Sequence, residues 1–289
     1  MRKSISRNIF DIINAIIMIG ISIVALYPFL NQLAISFSST SAVMSGSVTV
    51  YPQEFTLDTY RDIVKGRNFW NCYKNTIVYT LVGTALGLIF TTMCSYALSK
   101  KIAGRKGLLF FLVFTMYFSG GLIPSYLLMN QLRLSGTIWS VVLPSMILPY
   151  HILLMKTYFE SLPEDLEDAS KIDGLSQFGY FIRVAVPLSK PIIATMILFI
   201  SVIYWNDWFN ALIYLNDNNQ YPVTLYLRNI LMGASVAAQN GAVDSSSSRQ
   251  LPQAVQAASL ILVIFPVLCV YPFVQKHFTK GIMLGAIKG

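Results

Sequence analysis

The chain has 289 residues, of which 55% are hydrophobic and 12% charged, with a mean hydropathy of +0.58. A soluble domain carries about 25% charged residues, so this composition excludes an ordinary water-soluble globule and calls for lipid around the surplus apolar surface. The net charge of +8 does not point to nucleic acid, because the Lys and Arg residues fall in short segments between apolar runs and not along one face.

In chain order, six apolar runs are long enough to cross a bilayer core, which takes roughly 20 helical residues: about 12–34, 75–98, 108–129, 138–158, 191–215 and 254–274. The expected fold class is an all-α polytopic membrane protein with six transmembrane helices, forming a single domain over 1–289. Arg2, Lys3 and Arg7 precede the first run as in a signal peptide. That run is too long and lacks a small-residue cleavage site, so an uncleaved span is expected. Pro28 is expected to kink it, while Pro144, Pro149, Pro266 and Pro272 lie in the fourth and sixth spans, where neighbouring helices can satisfy the freed backbone groups. Gly83 and Gly87 in the second span form a GxxxG pair, which predicts close helix packing.

With the N-terminus inside, fourteen Lys and Arg residues fall on the cytoplasmic side and seven outside. The positive-inside bias therefore predicts a multi-pass plasma-membrane protein with both termini in the cytoplasm. The segments outside the bilayer are then external loops 38–74 and 216–253, a cytoplasmic loop 160–190 and a cytoplasmic tail 275–289. The second external loop contains a low-complexity run, Ser245 to Ser248, expected to be flexible. Cys72, Cys94 and Cys269 are too scattered for a disulfide framework or a CxxC site, and His151 and His277 are too few for a metal cluster.

The cytoplasmic loop carries the strongest pattern. Ser161 and Glu164 have capping-box spacing, and Glu164, Asp165, Glu167 and Asp168 crowd the first turns of a helix, where the macrodipole favours negative charge. Leu162, Leu166, Ala169 and Ile172 recur at helical spacing, and Gly174 supplies a stop. A second short helix, 178–186, is expected before Pro187. A small capped helix with one apolar stripe suits docking in a groove of a soluble partner, although composition alone favours an ordinary surface helix.

The series Asp168-Ala169-Ser170, three residues, Gly174, nine residues, Val184, one residue, Val186-Pro187 resembles the EAA loop of ABC importer permeases, with every spacing kept and Asp, Ser, Val and Val in place of Glu, Ala, Ile and Leu. Glu167 and Ile172-Asp173-Gly174 match the version common in sugar permeases. The final FTKGIMLGAIKG is similar to the tail of the maltose permease subunit MalG and its relatives. FSGGLIPSYLL (Phe118 to Leu128) and YWNDWFNALIYL (Tyr204 to Leu215) look like the LplC and YtcP branch of these permeases. The chain thus resembles, over nearly its whole length, the MalG-like carbohydrate ABC transporter permeases of bacteria. The resemblance implies a type I importer fold with a coupling helix, whose ATPase-coupling residues are Glu167, Asp168, Ala169, Ser170, Asp173, Gly174 and Pro187. It also implies an ATPase-contacting tail with Lys280, Gly281, Gly285 and Lys288. The implied partners are a second permease subunit in a heterodimer, two ATPase subunits, an extracellular sugar-binding protein and a carbohydrate, an oligosaccharide by subgroup.

No GxxxxGK[ST] phosphate loop and no HExxH or GxSxG motif occurs. The chain is therefore expected to be a non-catalytic subunit with no cofactor of its own, ATP and Mg being bound by the partner ATPase. The fifth span holds Trp205, Asn206, Asp207, Trp208 and Asn210, a dense polar and aromatic group for lipid. Asn206, Asn210 and Tyr214 would share a face at i, i+4, i+8 and line a candidate substrate path. The alternative is an interfacial aromatic belt, since about 16 residues, or about 24 Å of helix, separate Pro191 from Asp207. A rival function is a secondary transporter or channel subunit that works without an ATPase. It calls for charged pairs or broken helices near mid-membrane. A membrane enzyme would call for an acidic or His cluster at an interface.

Overall fold

The computed structural model describes residues 5–66, 68–239 and 252–285, and all the regular structure among them is helical. Two compact units make up the chain, one of residues 1–69 with 227–266 and the other of residues 70–226 with 267–289.

In the first unit, α1 (Ile5–Ser36) is one continuous helix through Pro28, with Ile12, Ile16, Ile19, Ile23 and Leu26 exposed along it. Its most apolar 18-residue window is not buried by any of the described residues, so these side chains require lipid or another subunit. The segment after it is ordered by polar side chains. Ser39 caps α2 (Thr40–Met44) by accepting from the Ala42 N–H at 3.2 Å, and Glu54 accepts from Ser39 and, at 2.8 Å, from Ser41. Those hydroxyls hold the Glu54 carboxyl below its ordinary value. Phe37 stacks on Phe55 with ring centroids 5.5 Å apart and leans on Tyr60 of α3 (Asp58–Lys65), whose hydroxyl donates to Ser36 at 2.8 Å.

The second unit is built on α4 (Phe69–Ser99), which runs unbroken for 31 residues and starts six residues before the predicted span. Gly83 and Gly87 are where α12 (Lys190–Trp205) comes closest. A Cβ on Gly83 would lie 2.5 Å from the Tyr204 ring, and one on Gly87 would lie 3.2 Å from Ile200 and 3.1 Å from the Met146 carbonyl. The GxxxG pair is thus a packing surface, and Tyr204 is locked above it by donating to the Val142 carbonyl at 2.8 Å.

The third, fourth and fifth predicted spans depart from single straight helices. The third is split into α5 (Arg105–Tyr117) and α6 (Leu122–Gln131), bent by 113° at the Ser119-Gly120-Gly121 break. The fourth is α7 (Ile138–Val142), a short tight turn through Pro144, and α8 (Pro149–Glu160), bent by 51°. Each proline removes an amide donor from the helix ladder, and the residue before it is pushed towards extended backbone, as Leu148 is. The fifth stops at Trp205 and resumes as α13 (Phe209–Tyr214). Met155, Phe159, Tyr180, Phe181, Met196, Ile200 and Tyr204 bury one another in the core that joins α8, the 160–190 loop and α12.

The segment 216–253, expected to be an external loop, contains a helix the sequence pattern did not predict, α14 (Val223–Gln239), whose Val223, Leu225 and Leu227 are buried. The Ser245 to Ser248 run lies outside the described residues. The last helix, α15 (Pro252–Gly285), continues beyond the predicted end of the sixth span into what the sequence pattern assigned to the tail.

Candidate functional site

The loop between α8 and the helix α12 folds as two short helical pieces. The first, α9 (Glu164–Ile172), begins later and is capped differently from the capping-box expectation. Ser161 closes α8 instead, donating its hydroxyl to the Tyr158 carbonyl at 2.7 Å, and Pro163 stands at the N-cap of α9. Pro163 offers no side-chain acceptor, so the first turn relies on Glu164, Asp165 and Glu167 against the helix dipole. The end of α9 is as predicted. Gly174 has φ +77°, its N–H donates to the Lys171 carbonyl and the Leu175 N–H to the Ser170 carbonyl, the two bonds of a Schellman cap. A Cβ at Gly174 would meet nothing within 4 Å. The demand for glycine is thus set by the backbone angle.

The second piece is α10 (Gln177–Tyr180), a wider π turn over Phe181–Ala185 and α11 (Val186–Leu188), an 80° bend then leading into α12. Ser176 caps it, accepting from the Gly179 N–H at 3.1 Å. Pro187 brings no N–H to this passage, and the bonding pattern widens just before it.

The faces of α9 divide the predicted coupling residues. Ser170 is buried, its hydroxyl donating to the Glu167 carbonyl at 2.7 Å. Glu167 turns inward and pairs with Lys100 at the end of α4; its second oxygen lies 3.5 Å from Lys171. Lys100 is also seated over the rings of Tyr96 and Tyr180, 4.9 and 5.5 Å from their centroids. The Lys100 hydrogen bond, foremost, holds the Glu167 carboxyl below its ordinary value. Asp168, Ala169, Asp173 and Pro187 face outward, Asp168 3.1 Å from Lys171. Of the predicted apolar stripe, Leu162 packs against the core, whereas Leu166 and Ile172 are exposed, Ile172 by 88%. Beside α9 lies a cleft of about 600 Å³ lined by Lys100, Lys101, Arg105, Glu164 and Asp168 among others. Its wall is braced where Glu160 joins Arg105 and, at 2.8 Å, Lys156.

The polar group of the fifth span is rearranged by the break after Trp205. Helical spacing no longer runs from Asn206 to Tyr214, so the shared face expected for Asn206, Asn210 and Tyr214 is not formed as a continuous stripe. Asp207 is occupied as a local cap, accepting from the Asn210 backbone N–H at 3.0 Å and its Nδ2 at 2.7 Å. Trp205 is buried edge-on against Tyr73, Trp208 meets Phe209 edge-on, and Tyr214 is buried and stacked on Tyr126, 6.2 Å away. Asn206 stays exposed, its Nδ2 donating to the Val202 carbonyl. Among the described residues no group of three His, Cys, Asp or Glu is placed to hold a metal. Lys288 lies outside the described residues; Lys280, Gly281 and Gly285 fall on the last turns of α15.

One constellation escaped the sequence reading. Asn71, Asn75 and Tyr79 stand at i, i+4, i+8 on α4, and all three donate to backbone carbonyls of residues 219–221. Asn71 bonds Asn219, Asn75 bonds Asn219 at 2.7 Å and Tyr221 at 3.2 Å, and the Tyr79 hydroxyl bonds Gln220 at 2.7 Å. Thr76 accepts from the Val223 N–H at 2.7 Å. The signal was a polar residue every helical turn at the start of an otherwise apolar span.

The chain is 39% identical over 291 residues to Protein LplC of Bacillus subtilis (strain 168), covering 100% of this chain and 98% of the relative. It is 35% identical over 284 residues to the polygalacturonan/rhamnogalacturonan transport system permease protein YtcP of the same organism, covering 98% and 99%. Its fold matches a chain of the crystal structure of a bacterial ABC transporter involved in the import of the acidic polysaccharide alginate, with TM-score 0.83, 32% identity and coverage of 96% and 99%. Residues 2–283 match the family model described as the binding-protein-dependent transport system inner membrane component, and the chain is a member of that family.

Proposed function

We propose that this chain is the permease subunit of an ATP-driven importer for a carbohydrate, an oligosaccharide by the names of its relatives, and that it forms half of the translocation pathway. Hydrolysis belongs to separate ATPase subunits, which hold ATP and Mg. The single observation that carries this reading is α9, a rigidly capped helix carrying the Asp168-Ala169-Ser170, Gly174 and Val186-Pro187 spacing, pinned on its inner side by Glu167 and presenting Leu166 and Ile172 outward. Two exposed apolar side chains beside a bare αL glycine are what a helix needs to enter a groove of another protein.

In this reading Asp168, Ala169, Asp173 and Gly174 meet the ATPase, Glu167 and Ser170 hold the helix in its pose, and Pro187 sets the bend into α12. The tail with Lys280, Gly281, Gly285 and Lys288 reaches the ATPase pair. A second permease subunit completes the pathway, covering surface that this chain leaves bare. Both termini are cytoplasmic in the plasma membrane of a bacterium, residues 1–289 work as one permease domain, and the second external loop meets the extracellular sugar-binding protein. Asn206, the exposed member of the fifth-span cluster, is the best placed of its group to offer hydrogen bonds to sugar hydroxyls.

The mechanism follows as a population shift. ATP-linked closure of the ATPase pair changes the distance between the two grooves that hold the coupling helices, and any differential affinity for the two states is passed to the attached spans through α9 and α12. The test is reconstitution of the chain with its neighbouring-gene permease, ATPase and binding protein, screened against neutral and uronate oligosaccharides. Binding-protein-dependent ATP hydrolysis with uptake of one of these classes is expected. Uptake that proceeds with the ATPase left out would instead favour a secondary transporter.

A further inference from the structure

α4 is gripped at both ends. At the outer end the Asn71, Asn75 and Tyr79 side chains satisfy three successive carbonyls, those of Asn219, Gln220 and Tyr221, and Thr76 takes the Val223 N–H. Each bond fixes backbone at the base of the second external loop, and none is part of a helix ladder. At the inner end Lys100, the first residue past the helix, ties Glu167 of α9 and is held between Tyr96 and Tyr180. Between these grips α4 is continuous over 31 residues, about 46 Å at 1.5 Å per residue. The neighbouring runs are not continuous: α5–α6, α7–α8 and α10–α12 bend by 113°, 51° and 80°. The mid-section of α4 is also keyed to α12, where Gly83 receives the Tyr204 ring. A displacement of α9 is therefore delivered to residues 219–223 through one stiff element, whereas the routes through α7–α8 and α10–α12 cross a bend.

We propose that α4 is the strut that links the ATPase-docking helix to the receptor-facing loop, with Asn71, Asn75 and Tyr79 as positioning residues at its outer end and Lys100 at its inner end. This rests on the function proposed above. Receptor docking at the second external loop biases the same two-state element that the ATPase biases from inside, which is the physical content of coupling between distant sites.

The test uses the complete assembly in lipid nanodiscs, with ATP hydrolysis measured over a range of binding-protein concentration. In N71A/N75A the unstimulated rate is expected to stay at the wild-type level while the maximal stimulation falls about fivefold, the loss of two to three net hydrogen bonds being ample for that. Y79F keeps the ring and removes one bond, and should lose about twofold. K100M should also lose stimulation about fivefold. The deciding measurement is the combination N71A/N75A/K100M. A strut broken at one end is not further broken at the other, so the combined loss should equal the larger single loss; independent local effects would multiply to about 25-fold.

Multiplicative losses, or wild-type stimulation in N71A/N75A, overturn the proposal. Should N71A/N75A fail to assemble, Y79F decides, unchanged stimulation counting against the strut and a reduced one for it. A wild-type assembly that shows no receptor stimulation at all would instead defeat the importer assignment, which separates the two failures.

Discussion

Gly174 and Gly83 both resist replacement, for opposite reasons. At Gly174 the space is open and the backbone angle of +77° is the constraint. An L-residue there costs about 1–2 kcal/mol, and Asn tolerates the conformation better than β-branched residues. G174N should therefore retain more uptake than G174V, with both inserting normally, as judged by uptake in vesicles at matched permease levels. A bulky charged residue at Gly174 should abolish coupling altogether. At Gly83 the angle is ordinary and the space is taken by the Tyr204 ring. G83A should lower the thermal midpoint of the detergent-solubilised chain, with a destabilisation of about 1–3 kcal/mol as for other overpacked sites. G83A/Y204F should recover little, because the ring remains and the bond from Tyr204 to the Val142 carbonyl is lost.

The ion pair between Glu167 and Lys100 gives a pH dependence with a definite sign. The folded-state pKa of Glu167 is below its ordinary value of 4.5, so the unfolded state binds protons more readily and the pairing stabilises the attachment of α9 fully above that value. The contribution is lost as pH falls below 4.5 and through the depressed folded value. A spin label at position 172 should keep its neutral-pH mobility down to about pH 5 and become more mobile only on further acidification. K100M should move that transition upward.

At the scale of elements, the coupling loop was the most legible part of the sequence. Its acidic first turn and its glycine stop follow from local chemistry and survive in α9, where the Schellman bonds need only residues within six positions of one another. The capping box did not survive, since Ser161 is claimed by the end of α8 and a proline intervenes. Apolar runs located the spans but not their bends. Hydropathy is blind to direction, and the elbow at Ser119-Gly120-Gly121 leaves the composition of 108–129 as apolar as a straight helix would. The polar group at 205–214 was visible by composition and misjudged by geometry, because the pattern assumed a helix that stops at Trp205. The Asn71, Asn75 and Tyr79 ladder lay in plain view at helical spacing, but its partner is a loop some 140 residues away, and no local rule brings the two together.

For the molecule as a whole, the expected topology places α9 inside and the start of the second external loop outside. Single cysteines introduced in place of Ile172 and of Asn218, both exposed, should be labelled by a membrane-impermeant maleimide from opposite faces of sealed vesicles. Labelling of both from one face would remove the basis for the importer assignment. An ATPase subunit is expected to remain bound through mild detergent extraction and to dissociate when Leu166 and Ile172 are both made charged, because those are exposed apolar groups of α9, the proposed docking helix.

The bare flank of α1 has a consequence of its own. Its candidate span of 27 residues is about 40 Å long, against about 30 Å of hydrocarbon in an average bilayer. Where lipid covers this flank, the helix leans until its greasy length fits the film around it, and thicker films let it stand straighter. The vitality of the whole transporter should then vary with acyl chain length, with an optimum that shifts when α1 is shortened by one turn.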